Sequence, residues 1–383
     1  MVNRIELTTH KKRNVELAIH KGFNDKLFCS ISKMDLLNFN MKTIFSQKHN
    51  LRDSQTELYG GQLVRPFECP ERMDYIISSI EDKKVGEISE PSFCDTNIIT
   101  KIHDKNYISF LERAWGDWVK SGFKGEAIPS VWPSRSMPSK EIPTFIEGEL
   151  GYYCLASETS ISKGTFEAAI SSASVALTGA KIVSETSNAI FSLCRPPGHH
   201  ASKNQYGGYC FINNAAISAQ YFLDNGAKRV AILDVDFHHG NGTQDIFYDR
   251  SDVMFLSLHG DPKDAFPHFL GYENETGTGD GDGYNFNFPM PPNTSYGSWS
   301  SALNEATKKI AEFRADALIL SLGVDTFKND PISFFKLNSE DFIDMGKRIK
   351  EIKLPTLFVM EGGYAIEEIG INTVNTLIGF EEK

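Results

Sequence analysis

The sequence predicts an α/β fold, a mostly parallel sheet with helices on both faces, and three observations predict it. Short aliphatic and β-branched runs recur at residues 189–193, 230–234, 253–258, 317–322 and 356–360, and such near-continuous apolarity belongs to strands buried on both faces. Stretches with helical apolar spacing separate these runs, and strands alternating with helices imply parallel connections. Polar clusters follow the strand ends: His199-His200, Asp234 to His238, Ser257-Leu-His259, Gly323-Val-Asp325 and Glu361-Gly-Gly-Tyr364. In an open parallel sheet, ligands bind at that carboxyl edge.

Residues 1–40 hold Lys and Asn clusters and no proline, and they read as an N-terminal extension ahead of a single catalytic domain at 41–383. Lys11-Lys12-Arg13 reads as a solvated helix face. The first thirty residues lack a continuous apolar core followed by a cleavage site, so no signal peptide is expected. Met41-Lys-Thr-Ile-Phe-Ser46 looks like the opening strand, and residues 54–70 read as loop by their Gly and Pro content. Residues 98–118 carry helical spacing, with Tyr107, Phe110, Leu111, Ala114 and Trp118 on one face. Pro129, Pro133, Pro138 and Pro143 then mark an insertion at about 122–160. Long structureless loops within a compact domain are usually lids, binding loops or oligomer contacts.

The second half is more regular. Phe166, Ile170, Ala173, Leu177 and Ala180 mark a helix, and the run at 189–193 leads into Arg195-Pro-Pro-Gly-His-His200. Asn213 or Asn214 caps a helix that stops at Gly226. Helices at 298–315 and 339–352 separate the later strands. Tyr284-Asn-Phe-Asn-Phe288 reads as another strand, so the preceding Gly277-Thr-Gly-Asp-Gly-Asp-Gly283 does not open a helix as a phosphate loop would.

Of the 383 residues 40% are hydrophobic and 23% charged, an ordinary globular balance. No run of eighteen apolar residues occurs, so no membrane span is expected. Six scattered cysteines without a C-x-x-C pair point to neither a disulfide framework nor a thiolate zinc cluster, and a reducing cytoplasm is the default. A net charge of -11 disfavours nucleic acid and, if focused in a cleft, favours a cationic substrate.

The chemistry concentrates in Asp234-Val-Asp-Phe-His-His-Gly-Asn241. With the strand period of two, Asp234, Asp236 and His238 project to one side, and Val235 and Phe237 to the other. A catalytic zinc site wants three N or O ligands and an open position. Asp236 and His238 supply two and Asp325 is the natural third. Such a metal brings the pKa of bound water near 7 and polarises a carbonyl. His199 and His200, after a rigid Pro-Pro-Gly turn, read as proton-transfer machinery. Tyr364, after Gly362-Gly363, reads as a donor to a developing oxyanion. No G-x-S-x-G elbow or Walker loop is present.

These motifs, together with Gly207-Gly-Tyr-Cys-Phe-Ile-Asn-Asn214, resemble the zinc-dependent histone deacetylase and acetylpolyamine amidohydrolase superfamily, whose fold is arginase-like, from about Met41 to the C-terminus. Thr56-Glu-Leu-Tyr-Gly-Gly61, the Pro-rich insertion, Ile146-Glu-Gly148, Gly260-Asp-Pro262 and Phe266-Pro-His-Phe-Leu-Gly271 resemble the acetylpolyamine branch. The resemblance implies zinc on Asp236, His238 and Asp325, with ferrous iron an alternative in the cell. It implies His200 as general base and then acid, and His199 as electrostatic partner oriented by Asp234. Tyr364 would polarise the carbonyl, and Tyr209 and Phe266 would wall the tunnel. Asn241 stands where some relatives carry aspartate behind the second histidine, which leaves His200 less polarised. Structural potassium is implied at Asp234, Asp236, His238, Ser257 and Leu258, and again near Phe247, Arg250, Val253 and Tyr284. Glu57, Tyr59, Glu147 and Glu158 would face the cation at the mouth of a homodimer or higher homo-oligomer.

The expected activity is metal-dependent hydrolysis of an acetyl or short acyl amide of a small cationic amine such as an acetylated polyamine. Protein acetyl-lysine deacylation is the alternative, and non-catalytic acyl-lysine binding a third reading.

Overall fold

A computed structural model describes residues 40–382; the expectations for residues 1–39 lie outside the described residues. The elements, in chain order, begin with β1 (Lys42–Ile44), β2 (Glu57–Tyr59), β3 (Gln62–Val64), α1 (Glu71–Lys83), β4 (Ile88–Ser89), α2 (Thr96–Ile102), α3 (Lys105–Lys120), α4 (Ile146–Tyr153) and α5 (Thr165–Thr186). After them come β5 (Ile190–Ser192), α6 (Asn214–Asp224), β6 (Val230–Asp234), α7 (Asn241–Phe247), β7 (Val253–Gly260) and β8 (Asn285–Met290). The chain closes with α8 (Tyr296–Phe313), β9 (Ala317–Leu322), α9 (Asp341–Lys350), β10 (Thr356–Met360) and α10 (Ile369–Glu381).

Eight strands form one sheet in the order β4-β1-β5-β10-β9-β6-β7-β8, and every neighbouring pair is parallel. Helices cover both faces, as parallel crossovers require. Alternation along β6 sorts its side chains between two cores. Val230 and Ile232 pack with α5 and α6 residues such as Ala176 and Ile217. Ala231, Leu233, Val235 and Phe237 pack on the other face with residues of α1 and α8 to α10, among them Ile76, Trp299, Phe342 and Val374.

Two expectations change. Residues 54–70 are not all loop, because β2 and β3 pair as a short antiparallel hairpin with Tyr59 opposite Gln62; Gly60 and Gly61, both at positive φ, make its turn. The single helix expected over 98–118 is two. Asp95 caps α2 by accepting from the Asn97 N–H, and the chain breaks at His103. The ring there is spent elsewhere: its Nδ1 lies 2.8 Å from the Ser202 carbonyl, and its Nε2 accepts from the Asn213 N–H at 3.0 Å. That anchors the segment following the paired histidines. Asn213 is the cap of α6, its side chain accepting from the Ala216 N–H.

α5 is long and apolar enough to cross a membrane by composition, yet 67% of its apolar window is buried in the domain. A helix apolar all round belongs in a core or a bilayer, and α5 packs against β5, β10 and α6.

Candidate active site

The carboxyl ends of β5, β6, β9 and β10 lie side by side, since Asp234 is in register with Ser321 and Val359 with both Ser192 and Ser321. The segments leaving those ends carry the site. After β6, Asp234, Asp236 and His238 follow one another as a ladder: the Asp236 N–H donates to Asp234 Oδ1 at 3.1 Å, and the His238 N–H to Asp236 Oδ1 at 2.9 Å. After β9, Asp325 Oδ1 accepts from the Phe237 N–H at 2.7 Å, which aims its Oδ2 at His238 Nδ1, 2.9 Å away. After β10, the Gly362 N–H donates to Asp236 Oδ2 at 2.8 Å.

One donor atom from each of Asp236, His238 and Asp325 lies within 4.8 Å of the others, and all three residues are buried. Burial raises the Asp325 carboxyl, and the Asp236 carboxylate beside it raises it further. Burial would raise Asp236 too, but His199 and His238 hold it well below the usual carboxylate range. Among the described residues no Lys or Arg pairs with either carboxylate within 4.0 Å; their ion-pair partners are histidines. Two carboxylates without a full counter-charge are costly to bury, and a divalent cation held by both of them and a ring nitrogen relieves that cost. The donor set therefore fits a three-ligand metal site. Gly323 completes the cradle, since a Cβ there would collide with Asp236 Oδ2.

The paired histidines differ in their partners. His199 Nδ1 donates to Asp234 Oδ2 at 2.9 Å. Burial opposes its charge, but Asp236 and Asp234 outweigh it and raise its pKa to about 10. His200 Nδ1 lies 2.6 Å from Asn241 Oδ1. An amide oxygen only accepts, so Nδ1 carries the proton and Nε2 keeps its lone pair. Burial, with His199 and His238 nearby, pushes the His200 pKa well below the ordinary histidine value. Gly208 lets the chain press against this ring, because a Cβ there would strike His200 Cδ2.

Tyr364 is half-buried, and its loop is clamped from both sides. Asp330 Oδ2 accepts from the Tyr364 N–H at 2.7 Å and the Ala365 N–H at 3.2 Å. Arg72 donates to the Gly363 and Glu361 carbonyls at 2.8 and 2.6 Å, and its guanidinium sits 5.0 Å from the Tyr364 ring centroid.

A cavity of about 370 Å³ opens above these groups, with His200, His238 and Tyr364 among its lining. Tyr209 and Phe266 line its walls, the Phe266 ring meeting His200 edge-on at 5.1 Å. Glu57, Tyr59 and Glu158 also line it. Glu57 is only 1% exposed, with Oε1 accepting from the Tyr209 hydroxyl at 2.9 Å and Oε2 from the Phe67 N–H at 3.1 Å. Glu158 Oε1 takes the Gly208 N–H at 2.7 Å. Glu147 is not among the lining residues; it sits on α4 and accepts from the Ser130 hydroxyl.

The residues named for potassium fall in two places. Ser257 pairs in register with Asp234 on β7, beside the ladder, and Leu258 follows it. Phe247, Arg250 and Val253 span the turn from α7 into β7. The Phe247 carbonyl there already accepts from the Arg250 N–H, and that of Tyr284 from the Phe255 N–H.

Sequence reasoning did not single out Arg72, Asp330, Glu68 or Asp264. Asp264 also lines the cavity. Glu68 is buried among Arg52, Arg72 and Arg195. An arginine within the apolar stripe of α1, beside Met73 and Ile76, is the one signal that could have marked this network, because buried charges are retained only when paired.

An open parallel sheet with a carboxylate–histidine metal cradle, two histidines and a phenol at its carboxyl edge defines a metal-assisted hydrolase. The chain matches the histone deacetylase domain over residues 66–377, and it belongs to that family of deacetylases. It is 55% identical over 339 residues to the acetylpolyamine amidohydrolase of Mycoplana ramosa, covering 88% of this chain and 99% of that protein. To acetylpolyamine amidohydrolase 2 of Pseudomonas aeruginosa it is 52% identical over 341 residues, covering 89% and 99%. The crystal structure of acetylpolyamine aminohydrolase from Burkholderia pseudomallei superposes with a TM-score of 0.85 at 34% identity, over 89% of this chain and 98% of that one.

Proposed function

We propose that this deacetylase is a zinc amidohydrolase whose substrate is an acetylated polyamine or similar small cationic amine, processed by one catalytic domain over 41–383 with an insertion at about 122–160. The observation that carries the substrate class is the cavity: His200, His238 and Tyr364 share it with three carboxyl groups, Glu57, Glu158 and Asp264, and among the described residues no Lys or Arg lines it. Glu158 uses Oε1 on backbone and the Thr159 hydroxyl, and among the described residues no bond is made by its Oε2. The names carried by the relatives in Mycoplana and Pseudomonas support the same class.

Asp236, His238 and Asp325 would hold the metal, which when bound supplies a polarised carbonyl and a water of lowered pKa. His200 Nε2 takes the proton of the attacking water, its ring fixed by the Nδ1–H bond to Asn241. The Tyr364 hydroxyl donates to the carbonyl oxygen as charge develops there, the kind of donor that acts mainly in the transition state. His199, held charged by Asp234 and Asp236, stabilises negative charge beside it. His200 then returns the proton to the amine nitrogen as the C–N bond breaks, leaving acetate and free amine.

Potassium at the Asp234–Leu258 and Phe247–Tyr284 positions belongs to the same reading, as does a homodimer formed through the insertion, where Val131, Met137 and Phe145 are exposed. Among the described residues, Cys69, Cys94, Cys154, Cys194 and Cys210 are unpaired, which fits a reducing cytoplasm. Protein deacylation is favoured by one feature, the exposed apolar side chains of Leu58 and Tyr59 at the cavity.

The deciding experiment compares kcat/KM for acetylputrescine or acetylspermidine with an acetyl-lysine peptide, in the wild type and in Glu158→Gln, which keeps an oxygen for Gly208 and removes the charge. The expected result is a preference for the polyamine that Glu158→Gln reduces by about tenfold, with the neutral peptide spared. A wild-type preference for the peptide would move the protein to the lysine deacylases.

A further inference from the structure

The acid-bearing wall of the cavity is assembled from two arms far apart in sequence. One is the start of β2, where Glu57 receives the Tyr209 hydroxyl at 2.9 Å. The other is the segment 158–160, where Thr159 Oγ1 accepts the Tyr209 N–H and Glu158 Oε1 the Gly208 N–H, both at 2.7 Å. Tyr209 is thus held by its hydroxyl on one arm and its backbone on the other, at a φ of 67° that a non-glycine residue seldom adopts. Its ring centroid stands 5.6 Å from that of Tyr364.

Glu126 joins the two arms from outside the cavity. Its Oε1 accepts from the Gln55 N–H at 2.8 Å. Its Oε2 accepts from the Thr56 N–H at 3.0 Å, the Thr56 hydroxyl at 2.7 Å and the Ser160 hydroxyl at 3.0 Å. Thr56 precedes Glu57, and Ser160 follows Thr159. The carboxylate is itself fixed, because Ala127 and Ile161 exchange both backbone hydrogen bonds at 2.9 and 3.0 Å. Arg52, donating to the Ser160 carbonyl at 2.9 Å, supports the second arm from below.

We infer that Glu126 is a positioning residue for substrate specificity: by stapling Thr56 to Ser160 it sets the spacing between the Glu57 and Glu158 arms, and with it the place of Tyr209 and of the negative charge that meets a cationic amine. This rests on the substrate class proposed above. The groups of the chemical step have holds of their own, His200 through Asn241, the Tyr364 N–H through Asp330 and the Gly363 carbonyl before it through Arg72. Bonds to an ionised carboxylate are the strong ones. An amide in its place would turn a donor toward the N–H groups of Gln55 or Thr56.

The test uses the full-length metal-loaded enzyme, an acetylated diamine, and a neutral N-acetyl-alkylamine of equal length. In Glu126→Gln, KM for the acetylated diamine rises about tenfold, while kcat and the KM for the neutral amine stay within about twofold. Ser160→Ala shifts KM in the same direction by about threefold, and adding it to Glu126→Gln brings no further loss, the mark of a shared bond. Unchanged KM in both variants, equal rises for both substrates, or a fall in kcat that accounts for the loss would overturn the inference. Should Glu126→Gln fail to fold, Ser160→Ala carries the same outcomes. A wild type inactive on the acetylated diamine defeats the substrate reading and this inference with it. A wild type active on it, with unaffected variants, defeats the inference alone.

Discussion

Glu57 shows how one carboxyl can serve both the wall of a cavity and its charge. Burial raises its pKa from 4.5 to about 7, against the bonds from Tyr209 and the Phe67 N–H, and the carboxylates of Glu158 and Glu68 raise it further. Below about pH 7 the side chain is neutral in the folded protein, and above it the cavity gains a further negative charge. Affinity for a cation therefore rises with pH. The inhibition constant of a free polyamine is expected to fall about three- to tenfold between about pH 6 and about pH 8, and to stay flat in Glu57→Gln. Stability runs the other way. From 4.5 to about 7 the unfolded chain has released this proton while the folded chain retains it, so the folded state binds more protons and stability declines as pH rises through that window. A polyamine inhibition constant as pH-dependent in Glu57→Gln as in the wild type would place the titration elsewhere.

At the level of elements, the strands were legible because burial on both faces leaves an uninterrupted apolar run such as residues 317–320 or 357–360. The metal cradle was legible for a related reason. Strand ends fix the spacing of Asp234, Asp236 and His238, so their chemistry shows in one line of sequence. The β2–β3 hairpin was hidden by its Gly and Pro content, and the break at His103 by a ring whose partners, Ser202 and Asn213, are about a hundred residues away. Arg72, Asp330 and Glu126 escaped for the same cause: each acts on backbone groups of another segment, and backbone groups leave no mark on residue identity. The turn after β9 offers a test of how tightly the cradle is set. A Cβ at position 323 would overlap Asp236 Oδ2, and the nearest relief is to push that carboxylate off the site. Gly323→Ala is therefore expected to fold but to retain less than about a tenth of the wild-type metal, measured by elemental analysis after gel filtration, and to lose the rise in Tm that metal gives the wild type. Full metal content in that variant would show that the Asp236 carboxylate has room to move.

At the scale of the whole molecule, the net charge of -11 matters only through where it is focused. Charges spread over the surface are screened within about 10 Å at about 0.1 M salt, whereas charges in a walled cavity are screened less and act along its axis. Here the carboxyl groups of Glu57, Glu158 and Asp264 share one cavity with the reacting groups, and among the described residues no Lys or Arg lines it to cancel them. A cationic substrate should then be drawn by both fields, the surface one lost to salt and the cavity one kept in part. The expected outcome is that kcat/KM for an acetylated polyamine falls by about three- to tenfold between about 0.05 M and about 0.5 M salt, mostly through KM, while a neutral acetylated amine of the same length changes by less than about twofold. Glu158→Gln should lower kcat/KM for the polyamine at both salt concentrations and leave the neutral amine unchanged, because it removes one focused charge and leaves the surface nearly as it was. Equal salt slopes for the two substrates would mean that neither field reaches the substrate, and the preference for a cation would have to come from the shape of the cavity instead.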